Sequence, residues 1–231
     1  GELKGRITRK DVFITPEDKE VVYGDEEAEL SYKVEGMIEG ETLSGSLARR
    51  EGRDAGTYEI LLNDITNENN KNYNIISKKQ AYYTILTAAL SVKAIKTEKI
   101  YGEEDPRLEY ILTDLSQLKY EDSVEDLFIG ELTRDEGEIP GRYTISLGSL
   151  ECKKNYTITS FDEDYFIIQK RDIVVQAIGA EKIYGDEDPE FTYITENKLE
   201  EDNLSIKLKR SYGEDVGKYE ISYTSILSET I

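Results

Sequence analysis

The chain has 231 residues, 49 acidic and 29 basic, with no histidine and one cysteine, for a formal net charge of -20. That balance excludes nucleic acid as a partner, since phosphate binding depends on clustered Lys and Arg. It also disfavours contact with anionic membranes, removes Ser-His and Cys-His catalysis, and leaves Cys152 without an internal disulfide partner.

A phrase recurs in chain order. "VYGDEEAELSY" begins at Val22, "IYGEEDPRLEY" at Ile100 and "IYGDEDPEFTY" at Ile183, so the Tyr-Gly pairs lie 78 and 83 residues apart, enough for a small domain each. Residues 1–10 read as the last strand of a preceding repeat, because Ile7 precedes Tyr23 by sixteen residues, as Ile85 precedes Tyr101 and Ile168 precedes Tyr184. After each Tyr-Gly the acidic turn, closed by Pro106 and Pro189 in two cases, is followed by Leu30 and Tyr32, Leu108 and Tyr110, or Phe191 and Tyr193. A spacing of two places each pair on one face of a strand.

The next strand carries Leu43 and Leu47, Phe128 and Leu132, or Leu204 and Leu208, and ends at Arg49, Arg134 or Arg210, where it emerges toward a turn. Gly-x-Tyr then opens an alternating strand at Gly56, Gly141 and Gly217, with Tyr58, Ile60 and Leu62 as the first apolar set. A further anchor, Asn72-Tyr73 and Asn155-Tyr156, precedes strands at 82–86 and 165–169. The tyrosines at core spacing, Tyr32, Tyr58, Tyr110, Tyr143, Tyr193 and Tyr219, are expected to point inward. The second repeat is seven residues longer, and its 114–127 segment reads as a surface excursion instead of a helix.

The fold expected is all-β: three tandem small β-sandwich or β-grasp-like repeats, end to end as an elongated rod. The boundaries are 11–88 for the first, 89–171 for the second and 172–231 for a truncated third, which stops where another Asn-Tyr is due. The joins near 85–90 and 168–173 contain no Gly or Pro to relax them. "DAGTYEI" and "DVGKYEI" also look like the start of immunoglobulin strand F with its tyrosine corner, although no Trp and no cysteine pair accompany them.

Four anchors in constant order resemble the MBG domains of the YGX type, found in tandem in large bacterial surface proteins and adhesins. The resemblance runs from Asp11 to Ile231, with departures at Val21, where the other copies have Lys99 and Lys182, and at Ala28, where they have proline. It implies a non-catalytic extracellular stalk or spacer on a bacterial surface, cell-wall attached or secreted, that projects a distal binding region. The alternative is an adhesive array that itself binds a host glycan or protein.

Candidate sites are weighed against that reading. Asp25, Glu27, Glu103, Asp105, Asp186 and Asp188 stand in the acidic turns as candidate Ca²⁺ ligands, since calcium takes several oxygens from a short loop. The alternative for them is a solvated turn that keeps its carboxylates outward. Lys99 or Lys182 facing Asn155, or Asn72 in the first repeat, are candidates for a Lys-Asn isopeptide bond. Tyr82, Tyr120 and Tyr212 lie outside the anchors and offer aromatic faces to a ligand, and the 119–126 excursion offers a contact surface. No cofactor and no catalytic residue are expected. The chain is expected either as a monomer or as head-to-tail chains in which the strand near Ile7 of one molecule fills the open edge of another's third repeat.

Overall fold

The computed structural model describes residues 4–229. Lys10–Pro16 (β1), Lys19–Val22 (β2), Tyr32–Glu35 (β3), Ala48–Arg49 (β4), Gly56–Leu61 (β5), Tyr73–Ser77 (β6) and Ala81–Leu86 (β7) form the first repeat. They make two sheets, ordered β3-β1-β6 and β2-β7-β5-β4. Alternation sets which face is inside: Val12, Ile14 and Pro16 of β1 are buried, as are Ala81, Tyr83 and Ile85 of β7, while the residues between them are more open. Each large apolar side chain so buried contributes about 2 kcal/mol relative to exposure.

The second repeat repeats the plan. Ala88–Ala94 (β8), Thr97–Ile100 (β9), Tyr110–Leu112 (β10), Phe128–Ile129 (β11), Thr133–Arg134 (β12), Gly141–Ser146 (β13), Glu151–Cys152 (β14), Tyr156–Asp162 (β15) and Asp164–Gln169 (β16) give the sheets β10-β8-β15 and β12-β13-β16-β9, with β11 paired to β14. The third has Val174–Ala177 (β17) antiparallel to Tyr193–Glu196 (β18), and Asn203–Arg210 (β19) antiparallel to Ile221–Glu229 (β20). Among the described residues there is no α-helix; the 114–127 segment holds two 3-10 turns, Leu115–Gln117 and Val124–Asp126.

The all-β fold in three tandem repeats is thus as the sequence indicates. The sheets are not purely antiparallel: β1 runs parallel to β6, β2 to β7, β8 to β15 and β9 to β16. Parallel pairs of this kind separate the fold from an immunoglobulin sandwich of antiparallel sheets. The tyrosine corner is nevertheless present three times: Tyr58, Tyr143 and Tyr219 each donate a hydroxyl proton to the carbonyl four residues upstream, at 2.7 Å.

One correction follows. Tyr32, Tyr58, Tyr110, Tyr143, Tyr193 and Tyr219 are half-buried; for Tyr58, Tyr143 and Tyr219 the reason is that a corner hydroxyl must reach the loop. The deeply buried tyrosines are Tyr23, Tyr73, Tyr83 and Tyr156. Residues 4–9 form no strand and Ile7 is fully exposed.

Only Thr87 separates β7 from β8. Contacts divide the chain into two compact units that do not follow the repeats: Gly1–Ala94 with Tyr110–Thr133 and Leu147–Glu163, and Ile95–Glu109 with Arg134–Ser146 and Asp164–Ile231. Each unit therefore contains one join between neighbouring repeats.

Candidate functional site: the joints between repeats

The first join is built on Tyr23-Gly24. The backbone N–H of Tyr23 donates to the carbonyl of Leu86, which ties the turn to the end of β7. Its ring is 2 % exposed and meets the rings of Tyr120 and Tyr156 edge to face, with centroids 5.3 and 5.4 Å apart. Its hydroxyl donates to Asp122 Oδ2 at 3.0 Å, and the Tyr156 hydroxyl donates to the same oxygen at 2.8 Å. Burial, with Asp122 as the next cause, raises the pKa of Tyr23; burial likewise pushes Tyr156 up to about 12.

Gly24 has a second role. With φ +87° it sits in left-handed space, and a Cβ there would stand 2.3 Å from Lys119 Cγ. Glycine is thus required both by the turn and by the side chain that the next repeat lays across it. Arg53 completes the join from the first repeat, its guanidinium 3.9 Å from the centre of the Tyr120 ring. Asn155 of the second repeat accepts from Ala55 N and donates to Asp54 Oδ1, both at 2.8 Å, and that bond leads the causes that hold the Asp54 carboxyl low, ahead of Lys154.

The second join has the same parts. Tyr101 N donates to the carbonyl of Gln169 at 2.9 Å, and the Tyr101 hydroxyl donates to Asp202 Oδ1 at 2.8 Å, which raises the tyrosine's pKa. Gly102 has φ +82°, and a Cβ on it would lie 2.3 Å from Leu199 Cδ1. Arg171 Nε donates to the Tyr101 carbonyl at 2.8 Å. Leu199 and Asp202 therefore do what Lys119 and Asp122 do. The third Tyr-Gly has no such neighbour: Tyr184 is 70 % exposed, and nothing lies within 4 Å of a Cβ on Gly185.

Inside each repeat the arginine does end a strand, as expected, and it is also the centre of a clamp. Arg49 lies over the rings of Tyr58 and Tyr83, at 5.3 and 4.9 Å, and Arg134 over Tyr143 and Phe166, at 5.3 and 4.7 Å. Arg210 lies over Tyr219 at 5.0 Å. Each guanidinium also donates to the carbonyls of the residues one and three positions on, the latter being Gly52, Gly137 or Gly213. A Cβ on any of these glycines would come within 2.4 Å of the tyrosine ring beside the arginine. The sequence held the signal, an arginine and a glycine three on in all three copies, which strand periodicity alone does not pick out.

The clamp captures one acidic-turn carboxylate per repeat. Glu27 pairs with Arg49; Asp105 pairs with Arg134 Nε and Lys99 Nζ, both at 2.6 Å; Asp188 pairs with Arg210 Nε at 2.8 Å and Lys182 Nζ at 2.9 Å. Glu138 and Glu214 close the latter two networks by binding both cations. Arg134 holds Asp105 below the usual carboxylate range, and Lys182 does so for Asp188. Lys99 is buried, which opposes its charge, but Asp105 and Glu138 outweigh that and raise its pKa. In the first repeat Val21 and Arg53 replace the lysine and the second glutamate, and Arg49 Nε is left buried without a partner.

Of the six candidate calcium ligands, Glu27, Asp105 and Asp188 are exposed and each is ion-paired with cations of the protein. Asp25, Glu103 and Asp186 close the turns, their N–H groups donating to the carbonyls of Val22, Ile100 and Ile183 at 3.0–3.1 Å. Among the described residues no group of three or more His, Cys, Asp or Glu side chains is arranged to hold a metal. Lys99 and Lys182 are spent on the clamps and Asn155 on Asp54, while Asn72 accepts Lys10 N at its carbonyl. The 119–126 excursion lies against the first repeat through Lys119, Tyr120 and Asp122 instead of standing free. Tyr82 and Tyr212 are exposed, Tyr120 is half-exposed under Arg53, and Cys152 is half-buried, which raises its thiol pKa.

No curated protein and no solved structure matches the chain. The family model for the MBG domain (YGX type) matches three tandem segments, 12–82, 90–165 and 173–229, each containing one Tyr-Gly turn and one arginine clamp. With most of its length so matched, the chain belongs to the family of MBG domains of the YGX type.

Proposed function

We propose that the chain is a non-catalytic spacer in which each repeat holds the next at a set angle, so that a distal region is carried away from a bacterial surface. Tandem MBG repeats are consistent with the repeat region of a surface protein. The observation that carries the stalk reading is the joint made twice from the same parts: a buried or half-buried tyrosine bonded to an aspartate of the following repeat, with a glycine beneath that repeat's side chain. A linker of one residue between β7 and β8 supports it further, because a chain that needed free domain motion would place flexible residues there.

The non-catalytic part of this reading is favoured by the carboxylates that come together being ion-paired within the clamps and by the lack of histidine in the sequence. The experiment is small-angle scattering of the 231-residue chain together with a glycan-array screen. A maximum dimension close to three repeat lengths and no glycan bound supports the spacer. A compact particle, or a saturable ligand, overturns it.

A further inference from the structure

A seam of hydrogen bonds joins the first strands of the first repeat to its last. β1 runs parallel to β6, from Lys10 beside Tyr73 to Ile14 beside Ser77, and β2 runs parallel to β7, from Lys19 beside Tyr83 to Val22 beside Leu86. Bonds at the ladder ends extend it: Lys10 N donates to the Asn72 carbonyl at 3.0 Å, Lys78 N to the Ile14 carbonyl at 2.8 Å, and Tyr23 N to the Leu86 carbonyl at 2.8 Å. Asp18 spans the gap between β1 and β2, its Oδ1 accepting from Tyr82 N at 2.8 Å and its Oδ2 from Lys79 Nζ at 3.0 Å. Asp11 accepts from the Asn74 amide at 2.9 Å. Residues 10–23 are thus bonded along their length to 72–86, and the chain from 24 to 71 is held between the two halves.

Strand order and strand direction together decide how such a seam meets a pull. Tension carried by the backbone enters the repeat at Lys10 and leaves it at Leu86. In a parallel pair, the first end of one strand and the last end of the other lie at opposite ends of the ladder. Pulling the start of β1 against the end of β6, or the start of β2 against the end of β7, therefore slides the strands along each other and loads the evenly spaced bonds together. An antiparallel pair connected in the same order would present both loaded ends on one side and open bond by bond.

Packing adds to the bonds. Val12, Ile14 and Pro16 on β1 and Ala81, Tyr83 and Ile85 on β7 are buried, so sliding must drag apolar side chains out of close-packed sites. The second repeat has both ladders too: β8 is parallel to β15 and β9 to β16, with Ala88 N donating to the Asn155 carbonyl and Tyr101 N to the Gln169 carbonyl. Lys10 and Tyr73 are 63 positions apart in the chain. Pairing so remote is slow to form, a cost that a domain of hairpins avoids and that resistance to tension would explain.

We propose that the first two repeats are load-bearing modules, each held closed by its two parallel ladders against tension applied along the chain. This goes beyond the spacer reading, because a repeat could hold its neighbour at a set angle and still open under a small pull. The property is a rate of forced unfolding, not an equilibrium stability.

Single-molecule force spectroscopy on the full chain tests it, with Cys152→Ala so that introduced thiols are the sole handles. Arg9→Cys with Thr87→Cys pulls the first repeat along the seam. Arg9→Cys with Lys71→Cys places both handles at the Lys10–Tyr73 end and peels the seam from there. All three positions are exposed, so the fold should be kept, which a thermal melt checks. At one loading rate the first pair should open at a force several-fold higher than the second. Its opening should be a single step of about 23 nm, from about 3.6 Å per extended residue less the folded length of the seam. Equal forces in the two directions, a higher force for the Arg9–Lys71 pair, or opening along the seam in a series of small steps would overturn the proposal. Scattering reads shape at rest, so its result and this one can fail separately.

Discussion

The Tyr101 hydroxyl donates to Asp202 at 2.8 Å across 101 residues of chain, and Tyr23 donates to Asp122 at 3.0 Å across 99. The same atom of the same motif thus reaches the same kind of acceptor in the following repeat. A side chain that looks local in sequence is a fastening between domains.

Asp122 accepts two tyrosine hydroxyls, so its removal takes the acceptor from both, while the Tyr156 hydroxyl still accepts from Lys119 N. Asp122→Ala should destabilise the first joint by about 3 kcal/mol, as expected when hydrogen bonds to a charged group are lost in a buried place. Tyr23→Phe should cost about 1 kcal/mol. A double-mutant cycle read by chemical denaturation should give a clear coupling energy for the pair; additivity would show that the bond contributes nothing.

Alanine at the three Tyr-Gly glycines is an internally controlled series. All three have left-handed backbones, with φ of +87°, +82° and +94°, so each substitution carries about 1 kcal/mol of conformational cost. At Gly24 and Gly102 the new methyl also meets Lys119 or Leu199, whereas at Gly185 it meets nothing. Limited proteolysis should find the first join more readily cut in Gly24→Ala and the second in Gly102→Ala, while Gly185→Ala leaves both joins as resistant as in the parent.

The arginine clamp should not accept lysine. Arg134→Lys keeps the charge but loses the stacking on Tyr143 and Phe166 and the fork that reaches two carbonyls and two carboxylates. Arg134→Met should cost about 2 kcal/mol, chiefly because the carbonyls of Asp135 and Gly137 lose their donor, the exposed Asp105 and Glu138, which keep Lys99, adding little. Thermal melts of the two variants should both fall well below the parent; a lysine variant at parental stability would assign the arginine a purely electrostatic role.

Two pH limits follow from the shifts. Asp105, Glu138, Asp188 and Glu214 are all lowered in the folded chain by their Lys and Arg partners. Their contribution is therefore complete above the unfolded carboxylate range near 4 and is lost as pH falls through the folded values. At the alkaline side Tyr23, Tyr101 and Tyr156 are raised, so their contribution is complete below about 10, the unfolded value, and is lost above it. Absorbance titration of phenolate should show a late class of tyrosines that loses one member in Tyr156→Phe, the residue whose folded value is about 12.

Calcium should leave the melting temperature unchanged. Asp105 and Asp188 are each bound by two cations of the protein and Glu27 by one, and a divalent ion would have to displace them. A rise in melting temperature with excess calcium over chelator would show that the turns reopen to bind it.

What the sequence determined by itself is the repeat, its number and its β character, because period-two alternation and recurring anchors are local and need no partner to be read. Leu108 and Tyr110, or Tyr58 and Ile60, announce strands wherever they fold. It did not tell that Tyr23 is buried while Tyr58 is half-exposed, nor that Arg49, Arg134 and Arg210 centre a clamp. Those facts depend on which residue, 30 or 100 positions away, arrives at the same place, as Tyr83 does under Arg49 and Asp122 does at Tyr23. The Tyr-Gly turn reads in sequence as one bend within a domain; only the tertiary structure, by laying Lys119 or Leu199 across the glycine, makes it the surface on which the next domain rests.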